Sequence, residues 1–287
     1  MNTRKHILII AALLAVSCNK QAGETPYITV QAGIGPITKV TTSGNKAVFV
    51  ANDKISVYAW MGSATQVPGT LVVDGVVNTF DGTKWTPATP MLWDDKSSAH
   101  YFLGISPART VTSFTADAYT LNQADYEASD LLIATNVAGL KAQDNPVTLA
   151  FDHVLARLDV NLTFRNQWAS APEVTAVTAT AKKTATVDYL AKALTATGTA
   201  EAVALTATSN AAWSGLQVPQ TGVNTITIAI GGKDYVFTHA SDIPLASGRY
   251  TTVNLVVGRD NIELSSVSIK DWTAGTTIEN GEAQTDE

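Results

Sequence analysis

One thiol and four imidazoles are the softest candidates for nucleophile or metal ligand in this chain of 287 residues. The thiol, Cys18, closes the stretch LLAVSCNK, behind the basic pair Arg4-Lys5 and the ten-residue apolar run 7–16. A basic start, a short apolar core and small residues at its end make a secretory signal; a spanning helix needs roughly 20 apolar residues. A cysteine at the end of such a signal fits a bacterial lipobox, in which the thiol is acylated and becomes the first residue of the mature chain. Ala15 stands where a lipobox usually has Leu. The alternative is an ordinary signal with an incidental cysteine, but a lone exposed thiol is a liability in a secreted protein. Acyl chains tether a protein to a membrane without spanning it.

The imidazoles promise less. His6 lies inside the signal, and His100, His153 and His239 fall in strand-like contexts. Only Asp152 stands beside one of them, and neighbouring residues of a strand point to opposite faces. His153 therefore reads as a structural histidine. Asp94-Asp95 in LWDDKSS could hold calcium only within a larger cage of oxygens, and a solvated turn is the plainer reading. Neither G-x-S-x-G, a phosphate loop nor H-E-x-x-H occurs. Catalysis, a metal and a cofactor are not expected. The six tryptophans, Trp60, Trp85, Trp93, Trp168, Trp213 and Trp272, suit core packing; grouped on one exposed face they would make a sugar platform.

The elements that position these residues are strands. Charged residues make up only 15% of the chain, and Thr, Val and Ala recur throughout, a composition that favours sheets over surface helices. Formal charge is −6, and it becomes −8 without residues 1–17, with 17 basic residues against 25 acidic. An acidic chain without a basic patch is a poor partner for nucleic acid, where phosphate neutralisation dominates binding. Without a second cysteine there is no intramolecular disulfide. Asp74-Gly75 between valine pairs predicts a hairpin, as do Gly231-Gly232 and the segment 258–261. Residues 111–146 read as a long excursion with one short helix. In VTLAFDHVLARLDVNLTF the apolar alternation passes from odd to even numbers, so a bulge or helical turn at 153–157 must absorb the change. The organisation expected is a signal over 1–17, a leader over 18–26, and two β-sandwich units over 27–168 and 169–287, the second ending in a polar acidic tail.

The ordered set FVANDKISVYAW (49–60), GTKWTPATPMLW (82–93), HYFLGISP (100–107), VTLAFDHVLARLDV (147–160) with LTFRN, GRYTTVNLVVG (248–258) and IELSSVSIKDW (262–272) resembles the fimbrillin-like proteins. These are lipoprotein precursors of the type V pili of Gram-negative anaerobes. The resemblance covers nearly the whole mature chain. It implies an all-β fold of two transthyretin-like sandwiches in tandem, export to the outer membrane on an acyl anchor at Cys18, and assembly with other pilus subunits by strand exchange. A host or bacterial surface ligand would be the adhesive target. In stalk members of the family a protease cuts after an Arg and removes an N-terminal strand. Here no Arg lies between Arg4 and Arg109, and the matching stretch, ITKVTTSG, carries Lys39. Lys39 is the candidate maturation site, and an uncleaved tip or anchor role is the alternative. A surface lipoprotein that binds glycans is the second functional reading, and an enzyme with a deep polar pocket the third. Segment 262–287 reads either as a donor strand or as the closing strand of the second sandwich, with a phase break at Ser265-Ser266.

Because no second thiol can substitute, Cys18→Ser should abolish acylation. Metabolic labelling with a clickable fatty acid reads this directly, and undiminished label in the variant would refute the lipoprotein assignment.

Overall fold

In a computed structural model of the chain, residues 26–35 and 48–271 are described. They form an all-β architecture. The first strands are β1 (Val30–Ile34), β2 (Lys54–Met61), β3 (Val73–Phe80), β4 (Trp85–Pro87), β5 (His100–Ser106) and β6 (Asp117–Thr120). A four-residue helix, α1 (Tyr126–Ser129), capped by the Asp125 carboxylate, precedes β7 (Leu132–Thr135), β8 (Val147–His153) and β9 (Ala156–Phe164). Next come β10 (Val174–Ala181), β11 (Thr184–Asp188), β12 (Ala193–Thr197), β13 (Glu201–Ala204) and β14 (Thr206–Ser209). The chain ends in β15 (Ala212–Gln217), β16 (Thr225–Ile230), β17 (Lys233–Thr238), β18 (Arg249–Val257) and β19 (Ile262–Asp271).

Seven strands make one sheet in the order β1-β8-β7-β5-β2-β3-β4. Its middle is apolar on both faces. Ile55, Val57 and Ala59 of β2 enter one cluster with Phe102, Leu132, Leu149 and Phe151, while Tyr58 and Trp60 enter a second. Alternate residues of a strand take opposite sides, so a strand buried on both faces reads as a continuous apolar run, as KISVYAWM does. The second cluster is shared with the later strands. There, β13-β10-β16-β17 and β14-β15-β9-β18-β19 form two further sheets, and Val177, Ile226 and Ile228 are buried in one cluster with Leu158, Val160, Val253 and Leu255.

Two turn readings need correction. Asp74-Gly75 is no hairpin: β3 runs through it, and the pairing with β2 shifts between Val57 and Ala59. Gly75 has φ +61°, and a Cβ there would lie 2.9 Å from the Tyr58 hydroxyl. A left-handed glycine serves a bulge as well as a turn, and here it leaves room for the tyrosine. The phase change at 153–157 is not a bulge within one strand either. The chain leaves β8 at His153 and re-enters as β9 at Ala156, in another sheet, where it pairs with β15 and β18. The hairpins at Gly231-Gly232 and 258–261 do form. The phase break at 265–266 is a bulge, since Leu264 faces Leu255 while Ser266 faces Asn254.

The early and late strands are stitched together by polar groups. β6 pairs with β11 to make the sheet β12-β11-β6. The buried Asp117 carboxylate accepts from the Tyr189 hydroxyl at 2.7 Å and from Thr112, with the Arg109 guanidinium 3.4 Å away. Burial pushes this carboxyl up, but the bonds from Thr112 and Tyr189 and the nearby Arg109 outweigh it and hold it below its usual value. At the tip of the β11–β12 turn, Lys192 reaches back to Asp152 of β8 at 2.6 Å.

Tyr189→Phe removes one donor from a buried carboxylate and should cost about 1–3 kcal/mol at pH 7. A depressed folded-state value stabilises the protein above the unfolded value of about 3.9 and ceases to do so as pH falls through the folded one. The gap between variant and parent should therefore narrow below about pH 4. Denaturant titrations at pH 7 and pH 3 measure it.

Candidate assembly site

Strand β1 occupies an unusual seat. It lies at the edge of the seven-stranded sheet and runs parallel to β8, with Val30 opposite Val147, Ala32 opposite Leu149 and Ile34 opposite Phe151. Parallel neighbours are usually joined by a crossover of a dozen or more residues; here more than a hundred intervene, so β1 is tied to its partner by contacts alone. At its start it also meets the far end of the same sheet. The Ile28 amide donates to the Met91 carbonyl at 2.8 Å, the Trp93 amide donates to the Pro26 carbonyl at 3.1 Å, and Tyr27 bridges Leu92. The segment thus closes the mouth of a curled sheet.

Alternation decides which side chains anchor it. Ile28 and Val30 are buried, at 1% and 6% exposure, and Ala32 and Ile34 pack half-buried on the same cluster. Thr29, Gln31 and Gly33 face outward. Each deeply buried aliphatic contributes about 1.5–3 kcal/mol. Backbone bonds at both ends complete the seat: the Val147 amide donates to the Thr29 carbonyl at 2.8 Å and the Gly35 amide to the Phe151 carbonyl at 2.7 Å. The Thr29 amide donates to Asn145 Oδ1 at 2.9 Å.

Beneath β1 lies an aromatic floor. Phe49 stands edge-on to Trp85 at 5.0 Å and to Phe151 at 5.4 Å, and Trp85 stacks on Phe80 at 5.0 Å. Trp93 is edge-on to Phe102 at 5.6 Å. Gly104 makes room for this floor, because a Cβ there would sit 2.7 Å from Phe151 Cζ. Asn145 and Gly35 escape a motif search, one an asparagine in a loop and the other a glycine among turn residues, while Phe49 opens the stretch FVANDKISVYAW without any local mark of its role.

The residues singled out for chemistry are placed as follows. Cys18, Lys39 and Trp272 lie outside the described residues. His153 Nδ1 lies 3.0 Å from Asp130, while its neighbour Asp152 pairs with Lys192, so the two sit on opposite faces. His100 is buried, its Nδ1 3.0 Å from the Ser98 carbonyl and its ring edge-on to Trp93. His239 bonds locally to Ser241. Asp95 accepts from the amides of Ser97 and Ser98 in a turn, which hold its carboxyl below its usual range. Among the described residues no group of three or more His, Cys, Asp or Glu is placed to hold a metal. Trp60, Trp85 and Trp93 are buried and offer no exposed platform.

This architecture is shared with solved structures. A candidate cell adhesion protein from Bacteroides uniformis superposes with a TM-score of 0.68 at 18% identity, covering 88% of this chain and 99% of its own. A second, from Bacteroides ovatus, gives 0.67 at 13% identity over 87% and 99%. A C-terminally truncated form of the tip fimbrial protein Mfa3 of Porphyromonas gingivalis gives 0.50 at 13% over 86% and 99%. A search of curated proteins by sequence finds no match. The fimbrillin-like family matches residues 38–272, and the chain belongs to that family.

Ile28→Ala empties the deepest contact of β1 at a cost of about 2–5 kcal/mol. Hydrogen exchange at the Gly35 and Val147 amides should accelerate accordingly, while amides of β9 and β18 keep their protection. Unchanged exchange at Gly35 would mean that β1 is not held by this anchor.

Proposed function

We propose that the chain is a non-enzymatic structural subunit of a type V pilus, exported as a lipoprotein through Cys18 and assembled by strand exchange to serve cell adhesion. Family membership and the fimbrial and adhesion proteins that share the fold support the pilus role. The observation that carries the assembly step is the seat of β1. A terminal strand lies on one sheet edge, pegged by Ile28 and Val30, and the segment 36–47 with Lys39 follows it directly. A cut after Lys39 would free 27–34 from the rest of the chain. Its departure would leave the outer edge of β8 unpaired and the floor of Phe49, Trp85 and Phe151 open. Both defects are unfavourable in water, and a strand from a neighbouring subunit remedies both at once.

In this reading the membrane partner is the outer membrane, to which the acyl chains hold the precursor until the cut after Lys39 releases it. The protein partners are other subunits, and the adhesive ligand is a host or bacterial surface.

Two measurements test the proposal. Mass spectrometry of the surface-exposed form should find Val40 at its N-terminus. Lys39→Ala should leave the precursor folded, because a lysine followed by Thr, Ser and Gly is cheap to replace, yet block polymer formation. Polymers of normal length from the variant would move the cut elsewhere or remove it from the mechanism.

A further inference from the structure

The seat of β1 is selective as well as sticky, and the selection can be read from what occupies it. This inference rests on the strand-replacement reading above. Counting along β1, the seat takes a large aliphatic at the place of Ile28, another at Val30 and a third at Ile34. The next place, that of Gly35, is narrow. Its amide donates to the Phe151 carbonyl at 2.7 Å. A Cβ there would lie 3.1 Å from Asp152 Oδ1 and 3.3 Å from the Phe151 carbonyl, tighter than nine in ten real Cβ contacts, so a neighbour would have to shift by a few tenths of an ångström. Asp152, half-exposed at the rim, pairs through its other oxygen with Lys192 at 2.6 Å. The place is therefore both tight and lined by a carboxylate.

The chain's own last segment does not meet these terms. Over 262–287, with the strand parallel to β8, one register alone puts apolar residues at the three aliphatic places: Trp272, Ala274 and Ile278. That register sets Glu279 at the place of Gly35, against Asp152. It also puts Ala274 where Val30 fills its pocket, leaving a void, and voids cost binding as surely as lost contacts. In the reverse direction no register brings three apolar residues to those places.

We infer that the seat rejects this chain's own C-terminal segment and takes its strand from a subunit of different sequence. That strand has aliphatics at positions one, three and seven and a glycine at position eight. Exclusion of a long side chain from the narrow place of Gly35 is specificity by misfit, which discriminates between strands that are otherwise equally apolar.

The test uses the uncleaved chain from residue 18 onward with a specific protease site inserted between 36 and 47, cut and then incubated with fluorescent ten-residue peptides. The peptide of residues 26–35 should enter and expel the resident strand. The peptide of residues 270–279, which sets Trp272 at the place of Ile28, should bind at least about a hundredfold more weakly, a cost compatible with one lost aliphatic contact and one misplaced side chain at the place of Gly35. Ala274→Val with Glu279→Gly in that peptide should recover most of the loss. Asp152→Asn in the protein should strengthen binding of the unaltered 270–279 peptide by about two- to fivefold and leave the 26–35 peptide unchanged. Equal capture of the 26–35 and 270–279 peptides would overturn the selectivity while keeping strand replacement. If the 26–35 peptide itself fails to displace the resident strand, replacement is wrong and the inference falls with it.

Discussion

The pairing of β1 with β8 is the contact on which the N-terminal half depends. A sheet edge carries unpaired amides and carbonyls, and a curled sheet has a mouth through which water can reach its core. The segment 26–35 answers both at once: it bonds to the backbone of 147–151 along one rim, touches 91–93 at the other, and lowers Ile28 and Val30 into the gap. Neither half of this arrangement suffices by itself. Hydrogen bonds at an exposed edge are worth little net free energy, and four alternating side chains without backbone bonds would have no fixed register. Together they define a seat that is stable and directional.

The remainder of the fold keeps that seat rigid. β2 is buried on both faces, so the seven-stranded sheet is gripped from the side away from β1 by the same cluster that fills the later sheets. Asp117, Tyr189 and the pairing of β6 with β11 tie the early strands to the late ones through charge-assisted bonds. Lys192 brings a residue of the later strands to the rim of the seat by pairing with Asp152.

Much of this was legible in the sequence, and the parts that were not share a cause. Strand content followed from Thr, Val and Ala spacing, and the hairpins at Gly231-Gly232 and 258–261 from their turn residues. The bulge at 265–266 followed from the handover between apolar residues of different parity. Asp74-Gly75 misled because a left-handed glycine is a local requirement common to turns and bulges, and only Tyr58, which is distant in sequence, decides between them. The passage from β8 to β9 misled in the same way. A phase change announces that the chain does something, but the partners that turn it into a change of sheet, β15 and β18, lie far down the chain. Within the site, YITVQAGI could be read as an apolar strand, whereas its neighbours Asn145, Phe49 and Asp152 could not, since no local pattern marks a residue whose role is to receive another segment.

The parallel direction of β1 has a mechanical consequence. Five consecutive residues of β1 stand opposite five of β8, from Val30–Val147 to Ile34–Phe151. Tension along the strand axis loads such a patch in shear, so its bonds must yield together, whereas tension across the strands peels them one at a time. The apolar pegs add to the shear resistance because each must be lifted from its pocket before the strand can slide by even one place, and sliding by one place turns every peg toward water. A filament joined through seats of this kind resists a steady pull along its length and gives way to a force that bends it sideways at a joint.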